Sequence, residues 1–207
     1  MNLIYQNVRG LNTKTETFYS NVVDCDNEII VLTETWLCDE VLSSEYFPPK
    51  YCVYRSSNGR RGRGVITAIR TDYISYQVTN HSPISEVDLL IVKVVLRDKI
   101  LNVINVYFAP ETNSLIYETI IEHIENMVNT SELSIIVGDF NIPTFAEYYF
   151  KPEPSTNVRP AYNTLATFMH FNSLKQHNNI LNSNLRILDL IMSTTDLYCD
   201  VSRYELP

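Results

Sequence analysis

Basic residues are in the minority in this sequence, in which 16 lysines and arginines stand against 24 aspartates and glutamates. The resulting net charge of −8 argues against a simple nucleic-acid binder, whose affinity comes from a cationic face. It does not exclude an enzyme whose acidic site is neutralised by a divalent cation.

Cysteines and long apolar runs are also scarce. The four cysteines are too widely spaced for a CxxC zinc pattern and too few for a disulfide scaffold, so we expect a reducing compartment. No apolar run reaches the ~18 residues that a membrane-spanning helix requires, and the first residues lack a signal-peptide pattern. We therefore expect an intracellular protein, in the nucleus or the cytoplasm, with no membrane contact.

The length and the hydrophobic pattern predict one domain, 1–207, with an α/β (α+β) fold. Strand patterns follow one another closely at first and then alternate with helical patterns, which is typical of a sandwich of two mixed β-sheets flanked by helices. Ser114 is the predicted N-cap of the second helix. The predicted strands are 2–8, 28–33, 51–55, 64–70, 73–79, 88–96, 100–108, one from 135 onward, 187–193 and a possible last one in 197–206. The predicted helices are 13–24, 114–128 and 161–174.

The segment SIIVGDFNIP, residues 134–143, is the centre of the predicted site. Its β-branched run predicts a buried strand, after which Gly138 lets the backbone turn. Asp139 and Asn141, two residues apart on an extended chain, point to the same side. Together they can hold a water or a metal ion and hydrogen-bond a phosphate oxygen. Taken alone, the segment fits a simple strand-end turn equally well.

Other predicted strands also end in, or are interrupted by, a polar side chain. A carboxylate flanked by an apolar strand must be paired or metal-bound, because an isolated buried charge costs several kcal/mol. Three such carboxylates suggest a shared cation, and hard oxygen ligands suit Mg²⁺ or Mn²⁺. Because sheets gather such strand ends into one crevice, we predict that these side chains meet at one rim. They are Asn7, Glu34, Asp139, Asn141 and Asp189, and Tyr107 ends a further strand.

Five blocks in order, QNVRGL, LTETWL, NVYFAP, GDFNIP and LDLI, resemble the endonuclease/exonuclease/phosphatase superfamily. Within it, QNVRGLNTK and LTETWL are most similar to the endonuclease domain of LINE-type (non-LTR) retrotransposons. The resemblance covers residues 1–193. It implies a four-layer sandwich and Mg²⁺- or Mn²⁺-dependent nicking of DNA at a target site. It also implies a fused or downstream reverse transcriptase, which the nick would prime.

The resemblance also implies roles for individual residues. Glu34 would be the principal metal ligand, with Asn7 beside it in the metal and phosphate site. Tyr107 would touch the scissile phosphate. Asp139 would orient or activate the attacking water, and Asn141 would hold the phosphate and its transition-state charge.

The C-terminal part departs from the resembled pattern. There, Asp189 would orient a histidine in a Ser-Asp-His block, but none of the four histidines follows Ser-Asp. Asp189 lies 18 residues before the end, so we expect the chain to lack that block and the closing strand, leaving one sheet edge or core face uncovered. We also expect the Asp189 charge to have no other partner. The histidines are His81, His123, His170 and His177.

Three alternatives remain open at this point. The chain could be a catalytically inactive, truncated remnant that acts at most as a DNA- or protein-binding domain, since an acid–base group contributes ~10²–10⁴-fold in rate. It could instead be an abasic-site endonuclease or phosphoesterase of the same superfamily. The turn SNGRRGRG, with Arg60, Arg61 and Arg63, could contact DNA phosphates or be a solvated turn.

Overall fold

A computed structural model describes residues 1–56, 62–78, 82–127, 131–145, 149–150 and 160–203. The strands are β1 (Leu3–Asn7), β2 (Ile29–Thr33), β3 (Tyr51–Ser56), β4 (Val65–Arg70), β5 (Ile74–Gln77), β6 (Val87–Val95), β7 (Ile100–Phe108), β8 (Leu133–Asp139), β9 (Leu174–Gln176) and β10 (Asp189–Thr194). The helices are α1 (Thr15–Asp24), α2 (Ser114–Met127) and α3 (Pro160–Phe171), with a 3₁₀ turn at Ser43–Glu45.

The strands form two mixed sheets, which confirms the predicted sandwich. The four-stranded sheet has the order β1-β2-β4-β3, and the six-stranded sheet has the order β5-β6-β7-β8-β10-β9. The pairs β1–β2 and β7–β8 are parallel, and each is connected through a helix, α1 or α2. The other pairs are antiparallel.

Three apolar clusters divide the molecule into four layers. One fills the space between the sheets, one lies between the four-stranded sheet and α1, and one lies between the six-stranded sheet and helices α2 and α3. Strand β2 shows why its sequence is apolar throughout: Val31 faces the other sheet, whereas Ile30 and Leu32 face the α1 side. A strand covered on both faces needs no polar alternation.

The predicted strands 2–8 to 187–193 are all present, with ends within two residues of the predicted ones. Strand β9 was not predicted because three residues carry too short a pattern. It pairs with β10, on the side of β10 that faces away from β8. The segment 197–206 has no strand in its described part, 197–203. Among the described residues, no helix is long and apolar enough to cross a membrane.

Two local predictions about turns and caps are also corrected. Gly138 lies inside β8 and not in a turn. A Cβ at this position would lie 1.8 Å from the Val106 carbonyl oxygen of β7, so glycine is required for the close approach of two strands. At α2, Asn113 and not Ser114 is the cap, because the Asn113 Oδ1 accepts the Ile116 N–H at 3.1 Å.

Candidate active site

The predicted polar side chains meet at one rim of the sandwich, where strands of both sheets end. Tyr107, Asp139 and Asp189 are direct neighbours on the adjacent strands β7, β8 and β10. Cross-strand neighbours point to the same face of a sheet, which here is the face toward the four-stranded sheet. From that sheet, β1 ends at Asn7, and Glu34 follows β2 directly.

The Asn7 amide joins the two sheets at this rim. Its Nδ2 donates to Glu34 Oε1 at 2.8 Å and to Asp139 Oδ2 at 3.1 Å. Its Oδ1 accepts the backbone N–H of Arg9 at 3.3 Å. The amide therefore uses both of its hydrogens to hold a carboxylate of each sheet at one point, and its oxygen faces the chain that follows β1.

The backbone around Glu34 is held in an uncommon conformation. Glu34 has a φ of +53°, a region that L-residues rarely occupy and that costs about 1–3 kcal/mol. Its carbonyl accepts the Gly10 N–H at 2.7 Å, and the next N–H, of Thr35, donates to the Gly64 carbonyl at 3.1 Å. These contacts hold the glutamate where the chain leaves β2. Outliers of this kind concentrate at functional sites.

Asp139 and Asn141 are brought together by a tight turn and not, as predicted, by an extended chain. Asp139 Oδ1 accepts the Asn141 N–H at 3.0 Å, and Asn141 has a φ of +47°. Asparagine tolerates this conformation better than most residues. The Asn141 Nδ2 donates to the Phe108 carbonyl at 2.7 Å, which leaves its second hydrogen for a ligand.

Burial and crowded negative charge change the proton affinity of the site. Burial, followed by the charges of Asp189 and Glu34, raises the pKa of Asp139 to about 7, although hydrogen bonds from Asn141 and Asn7 act in the opposite direction. Burial also raises the pKa of Asp189. A carboxyl group with a pKa near neutrality is suited to proton transfer at neutral pH.

Tyr107 completes this row of side chains. Burial and the negative charges of Glu34 and Asp139 raise the pKa of its hydroxyl, which therefore stays protonated at neutral pH. A protonated phenol next to two carboxylates can donate a hydrogen bond to an anionic ligand.

Asp189 has a partner that the sequence analysis missed. The Tyr5 hydroxyl donates to Asp189 Oδ1 at 2.6 Å, so the expectation that this charge lacks a partner is wrong. The signal was available, because alternation along β1 places Tyr5 on the same face as Asn7. Arg9 was missed as well: it is exposed, and its positive charge opposes the rise in the pKa of Asp189.

The histidines described in the structure contact other parts of the chain. His177 Nε2 hydrogen-bonds Ser193 Oγ at 2.9 Å, four residues along β10 from Asp189. His123 lies on α2 and His170 on α3, in the outer layer. His81 lies outside the described residues.

Of the three arginines in the predicted turn, Arg60 and Arg61 lie outside the described residues. The Arg63 guanidinium donates to the Ser85 carbonyl at 2.5 Å. The next residue, Gly64, donates its N–H to Asp88, the cross-strand neighbour of Tyr107, so Arg63 lies on the Tyr107 side of the site. Its positive charge opposes the rise in the pKa of Tyr107.

The carboxylates at the rim are the groups that could hold a divalent cation. Among the described residues, no group of three or more His, Cys, Asp or Glu side chains is arranged to hold a metal ion, and none of the three site carboxylates forms an ion pair. Glu34 and Asp139 nevertheless converge on one amide. Mg²⁺ commonly takes one or two carboxylates and keeps several waters. Glu34 therefore supplies a carboxylate of the kind that such a cation takes, and Asp139 lies beside it.

Comparison with known proteins identifies the fold. No protein-family model and no curated protein sequence matches the chain. Among solved structures, it is similar to the endonuclease domain of TRAS1, a telomere-specific non-LTR retrotransposon, with a TM-score of 0.67, 15% identity, and 94% of this chain and 84% of that one covered. An endonuclease/exonuclease/phosphatase family protein from Leptotrichia buccalis matches with a TM-score of 0.57 and 14% identity over 95% and 89% of the two chains.

Two further solved structures have a similar fold. The AP endonuclease of Leishmania major matches with a TM-score of 0.67 and 14% identity over 93% of this chain and 78% of that one. The catalytic domain of Xenopus laevis APE2 matches with a TM-score of 0.61 and 18% identity over 95% and 83%. The resemblance drawn from the five sequence blocks is thus confirmed at the level of the fold.

Proposed function

We propose that this chain is a single-domain, divalent-metal-dependent phosphodiesterase that nicks DNA, as a retrotransposon endonuclease does. One observation carries the proposal: a single amide, that of Asn7, holds Glu34 and Asp139 of different sheets at the rim where Asp189 and Tyr107 also lie. The fold supports it, because similar structures include a retrotransposon endonuclease domain.

Each residue has a proposed task in hydrolysis. Glu34, with Asn7 beside it, would hold Mg²⁺ or Mn²⁺, which neutralises the negative charge of the phosphate when it is bound. Asp139 takes the proton of the water whose oxygen attacks phosphorus, since its pKa is close to neutrality. The bond between phosphorus and the 3′ oxygen breaks, and the leaving oxygen takes a proton from solvent water, so that the products are a 5′-phosphate and a 3′-hydroxyl group.

The neutral donors bind the phosphate oxygens. The Tyr107 hydroxyl and the second Asn141 amide hydrogen both belong to residues next to Asp139, and donors fixed before the reaction stabilise the developing charge. Arg63 on the Tyr107 side and exposed Arg9 on the Asp189 side provide positive charge for the DNA backbone. A 3′-hydroxyl produced in this way would prime a fused or downstream reverse transcriptase, which is the partner we propose.

A second candidate is an abasic-site endonuclease. It is favoured by the similarity to the Leishmania major AP endonuclease, whose TM-score of 0.67 equals that of the TRAS1 domain. The two candidates share the chemistry at phosphorus and differ in the DNA that they accept.

The test is a nicking assay with Mg²⁺, with Mn²⁺ and with EDTA on supercoiled plasmid and on a duplex carrying one abasic site. We expect cation-dependent nicking that is lost in Glu34→Gln and Asp139→Asn and retained in Glu118→Gln, a control on the exposed side of α2. Cleavage of the abasic duplex alone would favour the second candidate. DNA binding without cleavage under every condition would refute hydrolysis and leave a DNA-binding domain.

A further inference from the structure

Tyr5 connects the two sheets at the rim through a chain of hydrogen bonds. Its hydroxyl lies 2.6 Å from Asp189 Oδ1 in the six-stranded sheet and 3.0 Å from Thr33 Oγ1 in its own sheet. The Thr33 side chain is fully buried at the end of β2, directly before Glu34. One phenol therefore joins the end of β2 to the start of β10.

The directions of these hydrogen bonds follow from the number of available hydrogens. A phenol has one hydrogen, and the ionised Asp189 carboxylate can only accept. Tyr5 therefore donates to Asp189, and Thr33 must donate to the Tyr5 oxygen. The threonine in turn fixes the direction in which the phenol points, so the chain of donors runs from the buried end of β2 to Asp189.

Asp189 needs such a partner to stay in place. It is the cross-strand neighbour of Asp139, and like charges directly opposite each other repel. Among the described residues, no Lys, Arg or His lies within ion-pair distance of Asp189. A half-buried carboxylate next to a second one would otherwise rotate toward water.

We propose that Tyr5 is a positioning residue of the site: its hydroxyl, oriented by Thr33, holds the Asp189 carboxylate beside Asp139. The inference rests on the proposed function for its catalytic consequence, whereas its structural part stands on the hydrogen bonds alone. Tyr5 would act through Asp189 without touching the DNA.

The experiment is a double-mutant cycle with a matched control. The variants are Tyr5→Phe, Asp189→Asn and both together, and the control is Tyr54→Phe. Tyr54 is suitable because its hydroxyl also joins the two sheets, through Ser75 Oγ at 3.0 Å, but from β3 to β5, away from the rim. Both tyrosine variants lose one hydroxyl and one hydrogen bond between the sheets, so a general loss of packing affects them alike.

We expect Tyr5→Phe to lower kcat for plasmid nicking by about 10- to 100-fold, as small misplacements of reacting groups do, with KM within about twofold of the parent value. Tyr54→Phe should retain the parent kcat. The double variant should be no slower than Asp189→Asn alone, because the phenol acts only through that carboxylate. Additive losses in the double variant, or equal losses in the two tyrosine variants, would overturn the proposal.

Crystal structures of Tyr5→Phe and Tyr54→Phe make the outcome independent of activity. A displaced Asp189 carboxylate in Tyr5→Phe alone supports the positioning role. A carboxylate that stays in place without the phenol overturns it. A parent chain that fails to nick DNA would refute the proposed function, and the two structures would still decide whether Tyr5 holds Asp189.

Discussion

Replacing Asp139 with asparagine should stabilise the metal-free chain at high pH. The folded pKa of Asp139 is about 7 against an ordinary value of 3.8, so the folded chain binds this proton more tightly than the unfolded chain. The free energy of unfolding therefore falls as the pH rises from about 4 to about 7. At about 1.4 kcal/mol per pH unit, ionised Asp139 costs the folded chain about 4 kcal/mol at pH 8.

The variant Asp139→Asn removes this cost but also one hydrogen bond. Its amide nitrogen would face the Asn7 Nδ2 that Asp139 now accepts from at 3.1 Å, a loss of about 1 kcal/mol. We therefore expect a net gain of about 3 kcal/mol at pH 8 and no gain at pH 3.5, where Asp139 is protonated in the folded state and mostly protonated in the unfolded state.

The assay is urea unfolding of the metal-free chain, followed by circular dichroism, at both pH values and with EDTA present. Asp98→Asn, in the exposed turn between β6 and β7, is the control and should match the parent at both pH values. A loss of stability in Asp139→Asn that is the same at pH 3.5 and pH 8 would refute the reasoning, because it would show that ionisation of Asp139 does not destabilise the folded chain.

Three further predictions concern the cation site and the sheets. Glu34→Gln should abolish the rise in Tm that millimolar Mg²⁺ produces in the parent. The metal-free fold should stay intact, since the substitution relieves the repulsion between the Glu34 charge and the neighbouring carboxylates. A parent Tm that does not respond to Mg²⁺ would contradict a preformed site. Gly138→Ala should lower the free energy of unfolding in urea by at least about 3 kcal/mol, because its Cβ would lie 1.8 Å from the Val106 carbonyl oxygen. The control Gly62→Ala, with no atom within 4 Å of the new Cβ, should lower it by about 1 kcal/mol. Equal losses in the two variants would count against the close approach of the strands. Asn105→Ala should lower the free energy of unfolding by about 2–4 kcal/mol in thermal unfolding. The side chain of Asn105 in β7 is fully buried, and its Nδ2 donates to carbonyls of β2 and β4 in the other sheet at 3.0 and 2.9 Å. A variant as stable as the parent would show that this link between the sheets is dispensable.

Local patterns of the sequence predict much of the fold. Central strands such as β2 and β7 are apolar, β-branched runs whose side chains are buried on both faces, and this burial makes the runs continuous enough to detect. The residues of the site lie where such runs stop, because a polar side chain at a strand end reaches water or a ligand without crossing the core. Asn7, Glu34, Asp139 and Asp189 could be found for that reason.

The partners within the site were decided by the tertiary structure. Tyr5 and Asp189 are 184 residues apart and meet only because β1 and β10 lie in sheets that pack face to face. No local pattern shows which hydroxyl donates a hydrogen bond to which carboxylate, since many side chains of the sequence can donate one. The same holds for β9, whose three residues form a strand because the edge of β10 supplies their hydrogen bonds. Local sequence determined which groups reach the rim, and the packing of the two sheets determined which of them touch.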